Sequence, residues 1–212
     1  MVFTLDTYPV GGHYPMVRWG SDHFPNPPAL NPVKDGGTGW SSSLGGVPVD
    51  GSVFPKRVDW DEAPDNPPPD FDSMPTINVS ERAKRIIEQL EPETHQFFPV
   101  EYHGRDGNRI ETRYWLVICN RIDSIHPTLS NMVMNPRGVW APPKDAVRRG
   151  WPLPSHVDPA APGSYVIDSD KIAGVHFWRD KHSAMALMSE AAWRALQDAS
   201  MMGLNAKELA VA

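Results

Sequence analysis

The pattern of apolar and polar positions is sharpest over residues 79–123, VSERAKRIIEQLEPETHQFFPVEYHGRDGNRIETRYWLVICNRID. Ala83, Ile86, Ile87 and Leu90 recur at the spacing of one buried helical face. Ser80 is placed to cap that helix by accepting from its first free N–H groups. Glu81 follows in the first turn, where a negative charge suits the positive end of the helix dipole. Pro92 cannot continue the helix and disfavours helical geometry at Glu91, so the helix ends there. Two strand-like runs, residues 95–103 and 110–120, then flank the turn-rich Gly104-Arg105-Asp106-Gly107-Asn108. The prediction is a capped helix feeding a β-hairpin, which is a folding unit and not a catalytic fingerprint.

Elsewhere the pattern is broken more often. Residues 165–168 and 175–178 read as short strands, with Lys171-Ile172-Ala173-Gly174 between them. A last helix is predicted over 189–202, capped by Ser189, with Ala192, Trp193, Leu196 and Ala199 facing inward. Gly203 then stands where a left-handed C-terminal cap is expected, and Leu204 supplies the hydrophobic contact after it. Residues 132–162 read as loop. Residues 1–75 hold 13 of the 23 prolines and 9 of the 16 glycines. Pro25-Asn26-Pro27-Pro28, Gly36-Gly37-Thr38-Gly39 and Pro67-Pro68-Pro69 prevent long regular elements there. The same region carries nine aromatic residues, Trp40, Trp60 and Phe71 among them, too many for a disordered tail. Short strands and extended loops laid over the body of the protein are expected, with 47–49 and 52–54 as edge strands. The fold class expected is therefore α+β: a small antiparallel sheet, two main helices and a Pro/Gly-rich N-terminal region. The division expected is 1–75 packed on a body of 76–212.

Composition narrows the function more than the fold. A chain of 212 residues buries enough surface to need no disulfide or metal. Its one cysteine, Cys119, lies in the apolar run Trp115-Leu116-Val117-Ile118 and reads as a small buried hydrophobe. A single cysteine suits a reducing cytoplasm, and the N-terminal residues lack the basic and apolar regions of a signal peptide. No apolar run approaches the length of a membrane span. Net charge of −6 and a pI near 5.7 speak against nucleic-acid binding and allow a basic protein partner.

Chemistry-bearing motifs are sparse. The chain has no GxGxxG, GxxxxGK[ST], GxSxG, HExxH or CxxC. Gly36–Gly39 reads as a plain turn, since no strand precedes it and no helix follows. His176, Asp180 and His182 form the densest group of metal-ligand types, read as ordinary structural residues. Glu101 and Glu111 lie on the two hairpin strands, where they either face each other as paired carboxylates or, in the plainer reading, stand as solvent-facing charges. No cofactor and no metal is expected, and no enzymatic activity. Residues 59–72 hold six acidic residues and no basic one. A solvated loop is the plainer reading. The sharper one makes Trp60, Asp61, Glu62 and Asp65 a negative, aromatic-bearing surface that meets a basic partner and speeds its encounter. Trp178-Arg179-Asp180 reads either as a lock at a strand end, with Arg179 bridging to a carboxylate, or as a binding hot spot.

The order of these signals carries a resemblance. A capped helix ending Leu90-Glu91-Pro92 is followed by His95-Gln96-Phe97-Phe98-Pro99-Val100 and a strand running through Trp115-Leu116-Val117-Ile118-Cys119-Asn120. A strand at 165–168, Trp178-Arg179, a Ser189-capped helix and Gly203-Leu204 complete the series. Over roughly residues 75–205 this resembles the eleventh immunity family of bacterial polymorphic toxin systems. The resemblance implies a cytoplasmic protein that binds and neutralises a cognate toxin, with no catalytic residues. A nuclease toxin would present a basic groove to the acidic segment. The alternatives are an uncharacterised hydrolase-like enzyme and a scaffold component of a secretion or phage-like particle.

Overall fold

The hairpin predicted from the apolar pattern is the centre of one of two six-stranded sheets, and strands too short to read from sequence complete both. The computed structural model describes residues 1–7, 17–19, 43–63, 65–72 and 76–212, with 17–19 as strand backbone. The described elements begin β1 (Val2–Thr4), β2 (Val17–Trp19), β3 (Arg57–Trp60), β4 (Phe71–Asp72), β5 (Asn78–Val79) and α1 (Glu81–Leu90). The long hairpin follows as β6 (Gln96–His103) and β7 (Arg109–Val117), then β8 (Arg121–Ile122), β9 (Val133–Met134), β10 (Trp140–Ala141) and α2 (Pro143–Arg149). The chain continues through β11 (Val166–Ile167), β12 (Phe177–Asp180), β13 (Ala186–Ser189), α3 (Glu190–Asp198) and β14 (Glu208–Val211). The Gly36–Gly39 turn, the Pro25–Pro28 cluster and Trp40 lie outside the described residues.

One sheet runs β11-β14-β1-β13-β12-β8 and the other β2-β3-β6-β7-β5-β4. The α+β class holds, but the small antiparallel sheet does not. Both six-stranded sheets are mixed, because β3 runs parallel to β6, β8 parallel to β12, and β11 parallel to β14. Those parallel pairs join segments far apart in the chain, and strands of two to four residues leave no period to read. The first strand lies in the middle of its sheet, paired on one side with β13 and on the other with β14.

Alternation along the strands covers both faces of each sheet. Leu116 and Ile118 of the β7 segment enter the main core, together with Phe177, Met188, Phe3 and the α1 and α3 residues Ala83, Ile87, Ala192 and Leu196. Trp115 and Val117 point the other way, into a second cluster with Phe54, Val58, Trp60, Val100 and Tyr102. Trp178, Leu187 and Val2 likewise leave the main core for a third cluster with Ile125 and Ile167. The main core is thus shared by the two sheets and the two longer helices. No helix among the described residues is long and apolar enough to cross a membrane.

Local departures from the predicted elements have identifiable causes. Residues 47–54 form no edge strands. The Asp50 carboxylate accepts from the Ser52 N–H at 2.9 Å and the Ser52 hydroxyl at 2.6 Å, starting a 3-10 turn that a ladder cannot match. Val49 is instead paired by a side chain: Gln96 Oε1 accepts its N–H at 2.7 Å and Gln96 Nε2 donates to its carbonyl at 3.2 Å. Helix α2 falls in the segment read as loop. It carries Pro at its first turn, Arg148 and Arg149 in its last and Gly150 at φ 66°, but only seven residues and little apolar face. Helix α3 is capped by Ser189, whose hydroxyl accepts from the Ala192 N–H at 3.2 Å, but it ends at Asp198. Gly203 is not its cap. Glycine is needed there because φ is +90° and a Cβ would overlap the Phe71 carbonyl and press on Pro69.

Candidate interaction surface

Strand β3 lies parallel to β6, with Arg57, Val58 and Asp59 opposite Glu101, Tyr102 and His103. Pro99 is tolerated in this interior strand because the β3 register stops short of it. The pairing delivers the chain after Trp60 to the tip of the β6–β7 hairpin. The tip is a tight turn: Gly104 donates to Asn108 O and Gly107 to Gly104 O, both at 2.9 Å, with Gly107 at φ +78°. Asp106 holds the turn by accepting from the Asn108 N–H at 2.9 Å and its side-chain amide at 2.8 Å, which lowers its pKa. Arg105 then reaches across to the acidic loop as a two-pronged clamp. Its Nε donates to Asp61 Oδ1 and its Nη2 to the Asp61 carbonyl, both at 2.7 Å.

Trp60 supports the loop from beneath. Its ring is 2 % exposed, tilts against Tyr102 at 6.2 Å, and donates its Nε1–H to the Asn66 carbonyl at 2.8 Å. Between loop and tip lies a cleft of about 360 Å³, with Trp60, Glu62 and Pro67 on one wall and Arg105, Arg109 and the exposed Ile110 on the other. A second cleft of about 300 Å³ adjoins it, lined by Arg57, Asp59, Asp61 and Arg105. The surface is therefore amphipathic and of mixed charge, with Arg57 paired to Asp59 at 2.7 Å. Asp65 stands exposed beside it.

The acidic run does not all face outward. Asp70 and Asp72 are buried. Asp70 accepts from Ser80 Oγ at 2.7 Å, Arg82 Nη2 at 2.9 Å and the Met202 N–H at 3.0 Å. Burial opposes ionisation of Asp70, but these donors outweigh it and lower the pKa. Asp72 accepts from the Tyr102 hydroxyl at 3.0 Å and pairs with Arg113 at 3.4 Å. Arg113 is a fully buried cation, bonded also to Asn78 Oδ1 and Pro69 O, both at 2.6 Å, and set 5.0 Å from the Tyr102 ring centroid. Sequence reading passed over it, although alternation puts Arg113 on the same face as Trp115 and Val117.

The other predicted group lies in the other sheet, on β12. Trp178, Arg179 and Asp180 are all buried. Asp180 gathers four donors, the Ser124 N–H and hydroxyl at 3.0 Å and the His182 and Ser183 N–H groups at 2.9 and 2.8 Å. Trp178 Nε1 donates to the same Ser124 hydroxyl at 3.0 Å. Arg179 Nη1 donates to the Ala184 carbonyl at 2.9 Å, where a carboxylate partner was expected. The triplet holds the β12–β13 turn. His176 faces Ser189 Oγ at 2.9 Å and His182 Nδ1 faces the Gly138 carbonyl at 2.8 Å, so neither converges on Asp180 through its ring. No cluster of three His, Cys, Asp or Glu able to hold a metal occurs among the described residues. Glu101 and Glu111 do not face each other: the register sets Glu101 against Thr112 and Tyr102 against Glu111.

The feature sequence reading missed most completely is Glu91. It was read as a helix end, and it is a buried hub. Its carboxylate accepts from His95 Nε2 at 2.7 Å, the His176 and Phe177 N–H groups at 2.8 and 3.0 Å, and Asn120 Nδ2 at 3.2 Å. The Cys119 N–H points at His95 Nδ1 (3.2 Å), which leaves Nε2 as the protonated nitrogen. Asn120 also donates to the Phe177 carbonyl at 3.0 Å, so this cluster ties the hairpin to β12 of the other sheet. Cys119 is half-buried beside it, and burial pushes its thiol pKa up, away from nucleophilic use.

Among families of known proteins, the model of an immunity protein family (Imm11) matches residues 48–211. The match begins upstream of the capped helix and takes in β3, the acidic loop and every described strand of the two sheets except β1 and β2. No curated protein matches the chain.

Proposed function

The chain belongs to the Imm11 immunity protein family, and from that premise we propose that it neutralises a cognate bacterial toxin by binding it in the cytoplasm, with no turnover of its own. The contact surface in this reading is the acidic loop and the hairpin tip: Asp61, Glu62 and Asp65, with the cleft that ends on Ile110. Trp60 serves that surface from below, and Trp178, Arg179 and Asp180 serve the frame that holds the sheets. The observation that carries this placement is the Arg105 clamp on Asp61, which fixes an otherwise irregular loop against the hairpin tip. A pre-ordered loop loses little conformational freedom on binding, so more of the contact energy appears as affinity. Exposed Ile110 offers an apolar anchor inside a polar rim, the usual make-up of a protein–protein contact.

The toxin class that fits is a nuclease. Its substrate groove is basic, and a loop that carries Asp59, Asp61, Glu62 and Asp65 competes for that groove by charge. Co-expression tests the reading. The toxin domain encoded beside this gene, induced in a susceptible host, should arrest growth, and this protein should restore it. Continued arrest with the protein well expressed and folded would remove the reading.

A further inference from the structure

A cleft of about 440 Å³ in the β1–β13–β12 sheet shares no residue with the hairpin-tip surface. Its wall includes Asp6, Arg179, Ser183 and Asn205. Arg179 is 6 % exposed. Its Nη1 is satisfied by the Ala184 carbonyl, while its Nε is buried with no hydrogen-bond partner among the described residues. A buried cation normally has a carboxylate within contact distance, because desolvation is otherwise uncompensated. The Arg113 guanidinium of the same chain meets that rule, with Asp72 and Glu111 at 3.4 and 2.8 Å. Arg179 has no such ion pair among the described residues; Asp6, exposed on the same wall, is the carboxylate whose field acts on it. Burial pulls the Arg179 pKa down to about 10 against that field, and the group stays charged at neutral pH.

We propose that this cleft is a carboxylate-binding site, with Arg179 supplying the charge that holds the ligand. The planar guanidinium matches the geometry of a carboxylate, and a charge-assisted bond strengthens away from water. Ser183 adds a second donor: its Oγ accepts from the Met185 N–H at 3.3 Å, which leaves the hydroxyl proton to give. Asp6 on the wall repels a dianion such as phosphate more than a monoanion, which favours a single carboxylate. The ligand is either a free small carboxylate or the acidic side chain of a protein partner. The site stands apart from the hairpin-tip surface and is testable without a toxin.

The experiment is a titration of the 15N-labelled full chain with sodium acetate, against sodium chloride at matched ionic strength, following arginine Nε–H signals. One signal, absent in Arg179→Lys, should move saturably with acetate and not with chloride. Asp6→Asn removes the competing charge from an exposed position and should tighten acetate binding about threefold. This variant carries the test if Arg179→Lys does not fold. The peptide acetyl-Gly-Glu-Gly-amide is the second probe: tighter binding than acetate assigns the site to a protein side chain, equal or weaker binding to a free carboxylate. If acetate moves no Nε–H signal beyond the chloride control in either the natural chain or Asp6→Asn, the proposal is wrong.

Discussion

At the scale of single residues, the polar groups inside this protein matter as much as the apolar ones. Glu91 ends a helix and in the same step gives a carboxylate to four donors from three other segments. Glu91→Gln replaces one of its oxygens by an amide nitrogen that faces a donor, and should cost roughly 2–3 kcal/mol in urea unfolding. The same group gives a pH signature. Burial raises the Glu91 pKa, but the bonds from His95, His176 and Phe177 bring it below its ordinary value of 4.5. Asp70 is likewise held below its ordinary 3.8. Carboxyls depressed in the folded state bind protons first in the unfolded chain, so their stabilisation is complete above these ordinary values and is lost as pH falls through the folded ones. Unfolding free energy should therefore decline from about pH 4.5 downward, and Glu91→Gln should flatten the upper part of that decline. Gly203→Ala is a backbone test: a Cβ there meets the Phe71 carbonyl at a φ of +90°, and a loss of roughly 2–4 kcal/mol is expected in thermal or urea unfolding. The glycine was visible in the sequence, but its reason was not. It stood out as a helix cap, whereas the pressure on it comes from a strand more than a hundred residues away.

At the scale of elements, legibility followed length and period. Helix α1, helix α3 and the long hairpin each carry eight or more residues of regular pattern, and their cores were named from sequence: Ala83 and Ile87, Ala192 and Leu196. Strands of two or three residues carry no period, so β4, β5 and β8 came only from the fold. Their register depends on partners distant in sequence. Each parallel pairing that makes the sheets mixed has a strand of four residues or fewer on at least one side and a partner distant in sequence, which left the pairing unreadable. The candidate surface shows the same split. Its acidic residues were evident, but their sorting was not: Asp72 turns inward to the buried Arg113, and Asp70 to Ser80 and the Met202 N–H, with Arg82 closing over it from the surface. The clamp from Arg105 links a hairpin turn to a loop 44 residues earlier. Arg105→Ala should leave global stability within about 1 kcal/mol, since the Arg105 side chain is largely exposed. Amide exchange over residues 61–66 should nonetheless quicken several-fold as the loop is released. Unchanged exchange would mean the loop is held without the clamp, by contacts such as the Trp60 bond to Asn66.

At the scale of the whole molecule, two mixed sheets share one core, and the family match takes in five of the six strands of each. This frame presents the hairpin tip and acidic loop as one outward surface and keeps Trp178, Arg179 and Asp180 inside. The long-range attraction proposed between that surface and a basic toxin belongs to this scale, because such attraction acts before contact and is screened by salt. Changing Asp61, Glu62 and Asp65 together to Asn, Gln and Asn should slow association about tenfold at low salt and flatten its salt dependence, with the unfolding curve unchanged. Equal association rates for the variant and the natural chain would move the contact to another surface. The central claim, neutralisation by occupancy, is tested most directly by titrating a fixed amount of purified toxin with this protein and measuring residual toxin activity. A linear decline to zero at one fixed stoichiometric ratio, with both chains recovered intact, is the predicted result. Loss of toxin activity at amounts far below that ratio would indicate turnover, and full activity at an excess would indicate no engagement; either contradicts the account.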